Sequence, residues 1–180
     1  MTTLGYLIVF VVLVTVGLAA TLLGRILYIR QTRRSLVKLL GRREGVVAAA
    51  NGLEKVIQHL LAAGDESLML FAEDAHHEDR RAVDDVAARM CIAGDELHAL
   101  ALPKRLWPVA EAMEQAASMI AAQAGAVGEA STPDGVLDAL AAIDVAGIAS
   151  AVRTANAALE PLLEDFHVDD SAVYGGGLYI

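Results

Sequence analysis

LGYLIVFVVLVTVGLAATLLG, Leu4 to Gly24, carries no charged side chain, and the nineteen residues after it, Arg25 to Arg43, carry seven basic ones and no acid. A helix rises about 1.5 Å per residue, so this apolar run is long enough to cross a hydrocarbon core of ~30 Å. Tyr6 and Tyr28 stand roughly 33 Å apart on that helix, a spacing that sets one ring near each headgroup layer. A cleaved leader fits less well: Met1-Thr2-Thr3 lacks the basic side chains of an n-region, and Leu18-Ala19-Ala20 is a poor cleavage site. Basic residues gather on the cytoplasmic flank of a span. The expectation is a single-pass protein of the plasma membrane, N-terminus outside, with everything after the span cytoplasmic and the lipid bilayer as its first partner.

The collar Arg25, Arg30, Arg33, Arg34, Lys38, Arg42 and Arg43 holds half of the chain's 14 basic residues, and all 23 acidic residues lie beyond it. The collar should attract anionic headgroups, at about 1 kcal/mol for each cation that lies near the surface. The acidic remainder should be repelled by them. It is also a poor partner for nucleic acid, whose binding depends on neutralising phosphates. Cys91 is the only cysteine, so an intrachain disulfide is impossible; its apolar helical surroundings predict a small buried thiol.

Working outward, Gly41 and Gly45 flank Arg42-Arg43-Glu44, and a hinge between anchor and domain is expected there. Beyond it the apolar residues keep helical spacing. Val46, Leu53, Ile57, Leu60, Gly64, Leu68 and Phe71 mark a first stretch, about Gly45 to Ala75, and Val83, Val86, Met90, Ala93 and Leu97 a second, about Asp79 to Ala101. Pro103 and Pro108 frame a tight connection. A third stretch alternates steps of four and three through Leu106, Ala110, Met113, Ala117, Ile120, Ala124 and Val127. Ser131-Thr132-Pro133-Asp134 has a capping hydroxyl, a first-turn proline and an acid, the signature of a helix start. A fourth stretch runs Ala141, Val145, Ile148, Val152, Ala155, Leu159, Leu162 and Phe166, with Asp144 a second starting point and Pro161 a bend or an end.

The reading is all-α: one N-terminal transmembrane helix followed by an antiparallel bundle of about four helices. Its segments are residues 1–3, the span 4–24, the basic segment 25–44, an acidic Ala-rich bundle 45–166 and a Gly/Tyr tail 167–180. So much alanine makes a thin core, because each buried side chain removes little apolar area from water.

Little in the chain resembles catalytic machinery. Gly-x-Ser-x-Gly, Cys-x-x-Cys and His-Glu-x-x-His are all absent from the sequence, and no enzyme, cofactor or metal is expected from the templates these motifs represent. The one alternative is a metal-binding sensor or oxidoreductase bundle. Glu73 with His76, and Asp95 with His98, repeat the acid-and-imidazole spacing by which di-metal bundles supply ligands, and His77 adjoins the first pair. The partner-binding candidates are Tyr174, Leu178, Tyr179 and Ile180, apolar residues around a glycine triplet that a groove could capture as an added strand. The functional expectation is a non-enzymatic scaffold, adaptor or accessory subunit with a protein partner or a second copy of itself.

Overall fold

The computed structural model describes residues 3–168, with side chains from residue 10 onward. The expected tail contacts Tyr174, Leu178, Tyr179 and Ile180, and the ring of Tyr6, lie outside the described residues.

The first helix, α1, runs unbroken from Thr3 to Ala63, 61 residues, or about 90 Å at ~1.5 Å per residue. The apolar window that qualifies it as a candidate membrane span is 0% buried. This exposed surface continues past Gly24 through Ile26, Leu27, Tyr28 and Ile29. Thr15 and Thr21 return their hydroxyls to the carbonyls of Val11 and Leu18, 2.7 and 2.8 Å away, so neither leaves an unsatisfied donor in hydrocarbon.

Within one further turn after Ile29 the same helix becomes core. Thr32, Leu39, Val46, Leu53 and Leu60 are all buried, each seven residues from the last, with Leu36 and Leu40 beside them. A strict seven-residue stripe wraps an α-helix left-handedly around its neighbours. The expected hinge at Gly41–Gly45 is therefore absent, and residues 32–44, assigned from the sequence to a basic segment outside the bundle, are continuous with it. Helical glycine costs about 1 kcal/mol relative to alanine; here the leucines buried on either side of the pair outweigh that cost.

The first stretch, expected to run on to Ala75, is broken at Gly64, whose φ of 87° and ψ of −176° fall in a region open essentially to glycine alone. A short α2 (Asp65–Glu73) follows, then α3 (Glu78–His98), a 3-10 turn at Lys104–Leu106, α4 (Trp107–Glu129), α5 (Pro133–Ala141) and α6 (Val145–Phe166). A Cβ at Gly64 would meet nothing within 4 Å, so Gly64→Ala isolates the backbone term. It should cost about 1–3 kcal/mol, read as a lower denaturant midpoint with unchanged slope in detergent.

The part of α1 after Thr32 packs with α3, α4 and α6, while α2 and α5 meet at the end remote from the span. Helix α3 returns toward the membrane, α4 leads away and α6 comes back, the antiparallel arrangement predicted from the heptads. All seven predicted core positions of α4 are buried, from Leu106 to Val127. The starts are as read: Thr132 accepts from the Gly135 amide, and Asp144 from the Gly147 amide at 2.8 Å. A Cβ at Gly147 would lie 2.2 Å from an Asp144 carboxylate oxygen, so a larger residue there would displace the capping side chain. Pro161 does not end α6, which continues to Phe166.

Cys91 is exposed, not buried. It follows Met90, which fills the stripe of α3, and one residue turns a helix by about 100°, carrying the thiol off the packed face. Ile92 shares its exposure.

Candidate functional site at the membrane junction

The seven cations of the collar all sit on α1, and the bundle divides them. Arg33 donates to the His167 carbonyl at 3.0 Å, Arg42 pairs with Glu96, and Arg43 donates to Asn156 Oδ1 at 2.7 Å. These three tie α1 to the residue that follows α6, to the last turn of α3 and to the middle of α6. Arg25, Arg30, Arg34 and Lys38 are exposed and make none of these ties. The Arg33 tie depends on the way α6 ends. His167 takes a left-handed conformation, φ 49°, and the Val168 amide bonds back to the Leu163 carbonyl at 3.0 Å. This reversal of the chain after a helix aims the His167 carbonyl at the collar.

The residues of the metal alternative do not converge. His77 caps the start of α3, accepting from the Asp79 amide at 3.3 Å, and the His76 amide donates to Asp74 at 2.7 Å. His98 stands at the other end of α3, 3.2 Å from Glu114. The 21 residues of α3 put about 30 Å between the two histidines at ~1.5 Å per residue. Glu73 and Asp95 are exposed at those opposite ends, and among the described residues no three His, Cys, Asp or Glu side chains are grouped to hold a metal.

Two features had no clear sequence signal. His59 on α1 lies 3.0 Å from Asp79, joining the end of α1 to the start of α3. Arg80 is 5% exposed and donates to the carbonyl of Val127 at 2.8 Å, with its guanidinium 5.7 Å from the centre of the Phe71 ring. A cation at the last turn of α4 satisfies carbonyls that the helix leaves over and opposes the negative end of its dipole. Sequence spacing alone groups Arg80 with the solvated charges around it.

An open groove of about 410 Å³ lies between α1 and α3, floored by Gly41, Gly45, Gly52, Met90 and Ala93, with Arg42, Arg89 and Glu96 at its edge. Its glycines have no heavy atom within 4 Å of a built Cβ, so close packing inside the chain does not require them.

Searches of protein-family models, curated proteins and solved structures return no match. One helix passes from an exposed apolar surface into a packed core, and of the seven cations at the crossing three bond to the bundle.

Proposed function

We propose that this chain is a non-enzymatic, single-pass membrane scaffold, adaptor or accessory subunit, with its bundle on the cytoplasmic side. The observation that carries the reading is the continuity of α1: one helix of 61 residues supplies both the candidate span and a quarter of the bundle, without a joint. A continuous helix of this kind couples the position of a folded body rigidly to that of the span, as a scaffold requires. The cytoplasmic side is supported by Arg25, Arg30, Arg34 and Lys38, which follow the span as positive-inside residues do.

The deciding experiment is cross-linking of the full-length protein in cells, purification in mild detergent and mass spectrometry. A stoichiometric foreign protein or a self-linked oligomer is the expected result. A strictly monomeric protein with no partner overturns the scaffold reading.

Orientation has its own test, because the single thiol of Cys91 is exposed. In intact cells a membrane-impermeant maleimide should leave Cys91 unlabelled, and permeabilisation should make it fully reactive without denaturant. Labelling in intact cells would put the bundle outside, as an envelope spacer.

A further inference from the structure

The connection between α3 and α4 falls at the same height as the collar. Arg105 pairs with Asp165 and lies 5.4 Å from the centre of the Phe166 ring, and Arg33 reaches the carbonyl of the next residue, His167, which sets the turn Lys104–Leu106 level with the first turns after Arg33. The exposed apolar surface of α1 reaches Ile29. With the hydrocarbon boundary at Arg30, Leu36 lies about 9 Å beyond it at ~1.5 Å per residue. A headgroup layer is roughly 5–8 Å thick on each side. The connection therefore stands at the outer edge of that layer, within reach of a long side chain.

Its composition suits that position. Trp107, the only tryptophan, is 50% exposed, and its indole N–H is already satisfied by the Leu102 carbonyl at 3.0 Å. An aromatic ring with one polar edge settled and its face open is the side chain enriched at membrane interfaces. Lys104 is exposed and makes no ion pair among the described residues, while Arg105 pairs with Asp165. Glu160 and Glu164 near the end of α6 and Glu111 one turn into α4 oppose these cations. Among the described residues, Arg30, Arg34 and Lys38 add three exposed cations alongside.

We propose that this connection, through Lys104 and Trp107, is a second lipid-binding element that seats the base of the bundle on anionic phospholipid headgroups. The inference rests on the reading of Leu4–Gly24 and its continuation as a membrane span. Two contacts separated laterally, the span and this loop, restrain the tilt of α1 where the span alone would not.

Trp107 is itself the probe. The full chain is reconstituted into phosphatidylcholine vesicles with or without phosphatidylglycerol, together with a trace of lipid spin-labelled on its headgroup. With phosphatidylglycerol, the emission should shift to shorter wavelength than in detergent, lose most of its intensity to the label and become shielded from acrylamide. Lys104→Glu should restore acrylamide access. If acrylamide reaches Trp107 equally in vesicles and in detergent, the proposal falls; equal headgroup quenching in pure phosphatidylcholine overturns its anionic selectivity. A carbonate wash separates the two readings. Release of the protein refutes the span, whereas retention with an acrylamide-accessible Trp107 refutes the seat alone.

Discussion

Proline at Gly45 is expected to destabilise the bundle by about 3 kcal/mol or more, through a lost backbone hydrogen bond and a clash with the carbonyl of Gly41. Folded domains are stable by only about 5–15 kcal/mol, so this loss is a large share of the total, and the thin alanine-rich core leaves little reserve. The reason for so large an effect is position. Gly45 is flanked along α1 by Leu39, Leu40 and Val46, all buried, and a kink there misdirects the stripe on both sides. Gly45→Ala provides the contrast. A Cβ at Gly45 meets nothing within 4 Å, so alanine should stabilise by up to about 1 kcal/mol, the helix-propensity difference. Chemical denaturation of both variants in detergent checks the pair. A proline variant with wild-type stability would mean that a joint exists at this point after all.

The second large effect is expected at Arg80. Arg80→Ala should cost about 3 kcal/mol, because the Val127 carbonyl loses a charged donor and remains in a buried setting. The Phe71 face loses its cation as well, worth roughly 1–2 kcal/mol when desolvated. Arg80→Lys should recover only part of this, since a single ammonium cannot reproduce the flat fork of a guanidinium. The readout is the shift in denaturant midpoint, with amide hydrogen exchange at the last turn of α4 as the local check. If exchange there is unchanged while global stability falls, the cap is not the source of the effect.

The heptads explain why most of the bundle was readable from the chain. In α4 and α6 the apolar steps of four and three are regular, and Thr132 and Asp144 announce the helix starts. The errors came where one residue serves two environments. Gly41 and Gly45 look like a joint when judged by propensity, but the stripe that overrides them is anchored at Thr32, whose side chain gives no hint of burial. Cys91 has apolar neighbours, yet an apolar segment and an apolar face are different things: one step beyond Met90 is already solvent. Arg80 stands among Asp79, Arg81, Asp84 and Asp85 and could be singled out only by the carbonyls that α4 brings to it from some 50 residues away. The junction was half legible. All seven cations were visible, but their division into three ties and four exposed charges depends on Asn156, Glu96 and the His167 carbonyl, which distant parts of the chain supply.

The absence of a joint in α1 makes the protein a lever. From Arg30 to Ala63 the arm is about 50 Å long, and a change of about 10° in the span's inclination, well inside the range that bilayers impose, swings its far end by roughly 9 Å. If α1 spans the bilayer as proposed, and unless the α3–α4 connection holds the base down, bilayer thickness would thereby be converted into the lateral position of α2 and α5.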